Sequence, residues 1–342
     1  MKSAPALDLR PQIIKKVPYK MKKIMQRLIW LTVLLFTQSC SQDVQPLTIG
    51  FWNGENLFDT DDDPNTNDEE FAIGGRKNVT REIYNLKIKQ SAEVLADLNA
   101  DVVGICEVEH QWVLEDLNDA YPQRDYEIIH YESPDNRGID NALLYDPNKL
   151  KVISSRAILN SLPKGGNTRD ILYVKGEYAD EIIHIFINHW PSNYGGREKA
   201  IPKRAATATL ISKEISAILL NDAGAEIILL GDFNEDPDEM NVQSLKTVGL
   251  SSLMEPMLGQ PKTGTYVYRG KDLFYDQIIV HESLKDARGL AIDPESVYIL
   301  DLPKYRQQEG DYAHYPFRFW AGNNLLGGFS DHLAVRVNII KK

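Results

Sequence analysis

Six short stretches of the chain carry side chains suited to acid–base or metal chemistry. "WNGEN" (52–56) offers Asn53, Glu55 and Asn56, and "ICEVE" (105–109) offers Glu107. "INHWPS" (187–192) offers Asn188, His189 and Ser192, and "GDFN" (231–234) offers Asp232 and Asn234. "YDQ" (275–277) brings Asp276, and "SDH" (330–332) brings Asp331 and His332. Any one of these reads as a turn, because Gly, Asn, Asp and Pro are the residues turns favour. Together they supply two imidazoles and a set of carboxylate and amide oxygens, with no Cys or Ser nucleophile constellation. An oxygen-rich set suits Mg²⁺, which keeps several waters and needs only one or two carboxylates beside a substrate phosphate. Such an ion polarises a phosphoryl oxygen, while hydrolysis also needs a base for water and a donor near the leaving oxygen. No H-E-x-x-H or paired C-x-x-C pattern suggests zinc. The residue types point to hydrolysis by direct attack of water.

Residues this far apart in sequence must be gathered by strands. Apolar or alternating runs predict strands at 47–53, 101–108, 126–131, 141–146, 170–178, 181–190, 225–233, 275–280 and 332–340. Helical periodicity marks 81–98 (Ile83, Leu86, Ile88, Val94, Leu95, Leu98) and 198–220 (Ala208, Ile211, Ile215, Leu219), with shorter helices at 112–120 and 238–247. Most of the polar stretches fall where these strands end, and strand ends on a rigid sheet are favoured places for reactive groups. Strands interspersed with helices, without repeats or a low-complexity linker, predict a single α/β domain.

The 342 residues are 43% hydrophobic and 25% charged, enough for a large core and too apolar for a disordered chain. Residues 1–39 hold eight Lys or Arg against Asp8 alone; subtracting that excess of seven from the net charge of −11 leaves about −18 for the rest. A surface this acidic repels polyanions, so a phosphate-bearing ligand needs a local cationic centre such as a bound metal. "MKKIMQRLIWLTVLLFTQSC" (21–40) has a basic start and an apolar stretch, 28–36, too short to span a bilayer but suited to a signal peptide. Its end at Cys40 resembles a bacterial lipoprotein signal. The expectation is therefore a signal region over 1–39, with Met21 a plausible true start, and a single domain over 40–342. Export and a lipid on Cys40 would attach this domain to the cell envelope. Cys106 remains as a small core residue.

"DTDDDPNTNDEE" (59–70) sets Asp59, Asp61, Asp63, Asn65 and Glu70 at calcium-loop positions 1, 3, 5, 7 and 12. Pro64 stands where position 6 needs Gly, and the flanks are not two helices. A solvated surface loop is expected there rather than an accessory Ca²⁺ site.

"WNGEN", "ICEVE", "INHWPS", "GDFN", "YDQIIV" and "SDH" resemble, in order and spacing, the motifs of the endonuclease/exonuclease/phosphatase superfamily, the DNase I-like fold. Its members include DNase I, apurinic endonucleases, bacterial sphingomyelinases and inositol polyphosphate 5-phosphatases. The likeness runs from about residue 47 to 337 and is similar to that of secreted, nuclease-like bacterial members. It implies an α/β fold, a four-layer α/β/β/α sandwich of two mixed β-sheets with the site at one edge. It further implies Glu107 as principal ligand of Mg²⁺ (Mn²⁺ as a substitute), aided by Asn53 and Glu55, with Asp331 beside the metal. Asp232 would orient or deprotonate water, Asn234 would hold phosphate, Asp276 would orient a charged His332, and His189 would lie near the leaving group. Asp140 is a further candidate, as a partner of His189.

Substrate is less legible. The second position after the metal Glu is basic in DNase I and the apurinic enzymes and is Glu109 here, and a charge near −18 argues against grip on duplex DNA. Substrate contacts are expected from Asn188, Ser192, Arg197 and Arg318, with Arg137, Lys199, Lys203 and Arg204 as further cations. The aromatic run "YPFRFW" (315–320) could stack bases or meet lipid. Three readings follow: a nuclease-like phosphodiesterase of exported nucleic acid or nucleotides, a phosphatase of phospholipid or of inositol or sugar phosphates, and a binding protein without turnover. A monomer is expected.

Overall fold

A computed structural model describes residues 44–286 and 288–342; the signal region, Cys40 and the lipid expected on it lie outside these residues. Two six-stranded sheets carry the fold. The first runs β11-β12-β1-β2-β4-β3, from β1 (Leu47–Leu57), β2 (Val102–Val108), β3 (Glu127–His130), β4 (Asp140–Tyr145), β11 (Leu290–Ile299) and β12 (Val335–Lys341). The second runs β5-β6-β7-β8-β10-β9, from β5 (Lys151–Ile158), β6 (Ile171–Tyr178), β7 (Glu181–His189), β8 (Glu226–Asp232), β9 (Leu250–Ser252) and β10 (Asp276–His281). Both are mixed: β1 pairs β2 in parallel and β7 pairs β8 in parallel, while the other pairings are antiparallel.

Alternation of side chains explains the layers. Ile49, Phe51 and Cys106 of the first sheet meet Ile185, Ile187, Leu230 and Ile278 of the second in one buried core. Trp52, Val103 and Ile105 point the other way, against Leu95 and Leu98 of α1 (Arg81–Leu98) and Leu114 of α2 (Gln111–Asp119). Phe186, Ile227 and Leu229 likewise meet Ala208, Ile211 and Ile215 of α3 (Arg197–Asn221). The result is the four-layer α/β/β/α sandwich. Helix α1 starts where Thr80 accepts a bond from the Ile83 amide and ends at Asn99 in the left-handed region, the bounds its periodicity predicts.

Three strands of the two large sheets lie outside the sequence expectation, and each has a reason. β5 is an edge strand whose outward residues are exposed, so its apolar signal is faint. β11 carries Pro294 and a register shift between Asp293 and Tyr298, tolerated because it too is an edge. β9 has only three residues. The loop 59–70 is solvated at its tip, as expected, but Asp59, Thr60 and Asp68 near its ends are buried.

Candidate active site

The central strands of the second sheet align three reactive residues. His189 pairs in register with Asp232, and Asp232 pairs in register with Asp276, across β7, β8 and β10. Register partners point to the same face of a sheet, so the three side chains share one edge of it. Asp232 is the hub. Its Oδ1 accepts from the Asn234 amide at 2.9 Å, and its Oδ2 accepts from Asn53 Nδ2 at 3.1 Å. The same Oδ2 lies 3.7 Å from His189 Nε2 and 3.9 Å from His332 Nε2. Asn234 has φ 51°, which turns the chain at once and lets its Nδ2 donate to the Trp190 carbonyl at 3.1 Å.

The first sheet contributes through irregular backbone. Asn53 opposes Cys106 and Leu57 opposes Val108, so residues 54–56 of β1 bulge out against the single residue Glu107. Against β4, Glu107 has no partner at all. Glu55, Asn56 and Glu107 all have positive φ (49°, 59° and 62°), an uncommon conformation for residues with side chains that clusters at functional sites. The bulge aims Glu107 along the sheet edge, where its Oε2 accepts from the Asn56 amide at 2.9 Å and its Oε1 lies 3.8 Å from His189 Nε2.

His332 precedes β12, fixed by its own amide on Ser330 Oγ (3.0 Å), while that hydroxyl donates to the Asn53 carbonyl (2.7 Å). Its Nδ1 bonds Asp276 Oδ2 at 2.7 Å, and its ring stacks on Tyr266 with centroids 4.7 Å apart. Burial alone would strip its charge, but the carboxylates of Asp276 and Asp232 overcome that and hold the imidazole well above its ordinary pKa. His189 has the opposite fate. Burial, with Arg169 and Arg137 nearby, drives it well below the usual value and keeps it neutral. Burial lifts the Asp232 carboxyl to about 7, against the pull of the His332 charge.

A cavity of about 790 Å³ opens over this edge. Glu107, His189, Asp232, Asn234, Asp331 and His332 line it, and so do Ser192 and Arg197 from the sequence expectation. Asn188 does not. It is 0% exposed, with Nδ2 on the Phe186 and Leu230 carbonyls, because strand alternation sends it to the face opposite His189. Glu55 also stands back from the cavity, 1% exposed, its two oxygens accepting from the amides of Phe319 (2.6 Å) and Trp320 (3.1 Å). Arg318 bridges carboxylates, 2.8 Å from Asp331 Oδ2 and 3.5 Å from Glu55 Oε1, rather than lining the cavity. Asp140 sits 3.4 Å from His130 and accepts from the Ser133 amide, so its imidazole partner is His130 and not His189. Arg204 is fully buried on Glu235 and the Pro191 carbonyl, a structural role.

Sequence reasoning missed the tyrosines of the cavity. Tyr266 and Tyr275 stack on each other inside it, and Tyr268 and Tyr194 form its rim, Tyr194 being 96% exposed. Tyr194 is thrust out because Gly195 and Gly196 follow with φ 79° and 116°, a turn that needs glycine before α3. "NYGG" was a usable signal for such a loop; nothing local marked Tyr266. The donor set facing the cavity is suited to a hard divalent cation. Glu107 and Asp331 are carboxylates of its lining, no thiol lines it, and Glu107 is presented on a strained bulge.

The chain was compared with known families and structures by sequence and by fold. A family model described as the Endonuclease/Exonuclease/phosphatase family matches residues 48–341. No curated protein matches by sequence. Among solved structures, the human Nocturnin catalytic domain with bound sulfate superposes with TM-score 0.54 at 18% identity, covering 88% of this chain and 96% of its own. The D. rerio TDP2 complex with a single-strand DNA product gives 0.55 at 14%, covering 86% and 99%. A mannosyl-6-phosphatase from Bacteroides thetaiotaomicron gives 0.54 at 17%, also covering 86% and 99%. At these identities the likeness speaks to the fold.

Proposed function

The chain belongs to the Endonuclease/Exonuclease/phosphatase family, and from that premise we propose that it is a divalent-metal-dependent phosphoester hydrolase, nuclease-like, using direct attack of water. One observation carries the reading: a single buried carboxylate, Asp232, has its Oδ2 within 4 Å of two imidazoles in an open cavity, their surroundings pushing the pKa of one down and that of the other up. That arrangement provides a base and a cationic donor around one reacting centre.

Asp232 accepts the proton of the attacking water, since a carboxyl lifted to about 7 is matched to proton transfer near neutrality. The water oxygen forms the new bond to phosphorus as the ester oxygen departs. His332, kept charged by Asp276, donates from Nε2 to a phosphoryl oxygen, where charge builds in the transition state. Neutral His189 offers Nε2 near the ester oxygen, and Asn234 holds the phosphate through the second hydrogen of its amide. Glu107 and Asp331 would hold the metal, Mg²⁺ by the chemistry of their oxygens with Mn²⁺ as a substitute; when bound it polarises the phosphoryl group.

A second reading has its own support. The rim cations are each engaged: Arg197 with Glu239 (2.9 Å), Lys271 with Asp236 (3.3 Å) and Arg137 with Asp135 (3.7 Å). No free cationic stripe tracks a long backbone among them, which favours small phosphoesters, including sugar, inositol or lipid head-group phosphates, over duplex DNA. Turnover of plasmid, single strands, nucleotides, sphingomyelin and soluble sugar or inositol phosphates, with Mg²⁺ and with EDTA, tests both. No metal-dependent turnover on any of them would leave only the binding-protein reading. The chain is further proposed to be exported and lipidated at Cys40. Mass spectrometry of membranes from a bacterial host should find the mature protein starting there, and a soluble product starting elsewhere rules the lipid out.

A further inference from the structure

A group of ligating atoms stands apart from the catalytic residues, at the neck of the loop that joins β3 to β4. His130 is the last residue of β3 and Asp140 the first of β4. The strands pair antiparallel with His130 opposite Ala142, so the same register carried two residues on sets Glu132 opposite Asp140. Side chains two apart along a strand share a face, which brings His130 to the same spot. One ligand atom from each of the three lies within 4.8 Å of the others. Two of these residues hold buried, unsatisfied atoms. His130 Nε2 and Asp140 Oδ2 lie 3.4 Å apart on side chains 3% and 1% exposed, and neither has a hydrogen-bond partner. The other Asp140 oxygen accepts from the Ser133 amide at 2.9 Å. Glu132 is exposed, and its Oε1 meets His110 Nδ1 at 2.9 Å, which fixes it against the segment after β2.

Buried polar atoms without partners are costly, and carboxylates that meet across a hairpin repel. Among the described residues, no lysine or arginine pairs with Asp140 or Glu132; their charge contacts are His130 and His110. A shared cation answers both costs. Two atoms bound about 2.0–2.1 Å from one tetrahedral ion stand about 3.3–3.4 Å apart, which matches the separation of His130 Nε2 from Asp140 Oδ2. One imidazole with two carboxylates suits a borderline ion better than a hard one such as Mg²⁺. We propose that His130, Glu132 and Asp140 bind a divalent cation of the zinc class, with water completing a four-coordinate set. His110 orients the Glu132 ligand from behind. The site shares no ligand with the catalytic cavity. Its ion ties together the two ends of the segment 130–140, which places Arg137 in the cavity wall. Asp135 of the same segment holds Arg169 Nη1 at 3.3 Å, and Arg169 Nη2 donates to the Trp190 carbonyl at 2.9 Å. Asn234 donates to that carbonyl too, so the cation steadies one side of the active site from outside it.

Zinc binding can be read without turnover. The full chain, stripped with EDTA and returned to excess Mg²⁺, is titrated with Zn²⁺ in a calorimeter. One equivalent should bind. His130→Gln, Asp140→Asn and Glu132→Gln should each weaken it by about tenfold or more, since losing even a residue behind a ligand costs that much. Glu107→Gln, in the catalytic cavity, should leave it in place. Co²⁺ should give the visible absorption of a four-coordinate ion in the parent and lose it in Asp140→Asn. Zn²⁺ should also raise the melting temperature of the parent and not of His130→Gln. Circular dichroism checks each fold; should a buried substitution unfold the chain, Glu132→Gln decides, because its side chain is 59% exposed. No zinc bound means that His130 and Asp140 are a plain imidazole–carboxylate contact, and zinc that the three ligand variants bind as tightly as the parent lies elsewhere; either result overturns the proposal.

Discussion

The two sheets build their halves of the active site in opposite ways. The second sheet uses regular pairing: His189, Asp232 and Asp276 are register neighbours, and no residue of that row departs from strand geometry. The first sheet uses departures from pairing: Glu107 and its neighbours reach the cavity only because β1 and β2 bulge at positive φ. A ladder fixes mutual distances, which proton transfer demands, since a base must stay within hydrogen-bond reach. A bulge re-aims one side chain and leaves room around it, which suits a ligand to an ion that keeps several waters. On this view the second sheet supplies acid–base chemistry and the first supplies metal binding, and substitutions in the two halves should fail differently.

The largest loss is expected in the regular half. Asp232→Asn keeps size and the Asn234 bond but removes the base, so turnover should fall by about 100-fold to 10,000-fold and stay down at any metal concentration. His332 enters from the end of the first sheet but is held by Asp276 of that row; His332→Ala should cost roughly 100-fold, and the double variant should lose far less than the product, because the two groups serve one transition state. Ordinary turnover in both single variants would end the hydrolase mechanism. In the irregular half, Glu107→Gln should cost about 100-fold at low Mg²⁺ and recover in part as Mg²⁺ is raised. A loss that excess metal cannot lessen would mean Glu107 is not a ligand, and the division of labour between the sheets would fall.

The same division decides what could be read from the sequence. "EIILLGDFN" and "EIIHIFINHW" announce buried strands with reactive ends, because apolar runs and a Gly or Trp boundary are local signals. The helix 81–98 was legible for the same reason, its apolar residues recurring at helical spacing up to Leu98. The facing of individual side chains was not. Asn188 and His189 are adjacent letters, and only the pairing of β7 with β8 sends one into the core and the other into the cavity. Glu55 is three letters from Trp52, but the backbone turn at 55–56 directs it to the amides of Phe319 and Trp320, some 264 residues away in sequence. Asp140 meets His130 across the hairpin of β3 and β4, a nearer imidazole than the one its motif suggested. Edge strands β5 and β11 were illegible because one open face and a proline blur the alternation.

Acidity offers a smaller, graded test. With the Asp232 carboxyl lifted to about 7, activity should rise with pH and level off just above neutrality, falling roughly tenfold per unit below it as the base takes up a proton. His332 has the opposite sign. Its charge is needed, and Asp276 and Asp232 hold its pKa well above the ordinary value, so the decline should come on the alkaline side. Asp276→Asn removes one of those carboxylates and should move the alkaline limb to lower pH; the acid limb should shift less and in the same direction, because Asp276 also helps to raise the Asp232 carboxyl. If the acid limb moved further than the alkaline one, the roles assigned to the carboxylate and the imidazole would have to be exchanged.

Glu55 gives the finest discrimination, because its resemblance-based role and its geometry disagree. As a direct metal ligand it should behave like Glu107, with Glu55→Gln shifting the Mg²⁺ dependence and leaving the fold alone. Its surroundings say otherwise: both oxygens hold backbone amides of the 319–320 turn, Arg318 stands 3.5 Å away, and burial raises its carboxyl to about 7. Gln keeps one accepting oxygen and presents an NH₂ group to the second amide, leaving a buried N–H without a partner. Such a loss costs about 1–3 kcal/mol. Glu55→Gln should therefore lower the melting temperature while the Mg²⁺ concentration for half-maximal turnover hardly moves. A melt matched to a metal titration on the same preparation reads both quantities. An unchanged melt with a titration displaced as far as that of Glu107→Gln would make Glu55 a true ligand, and the first sheet would then bind metal through two bulged carboxylates rather than one.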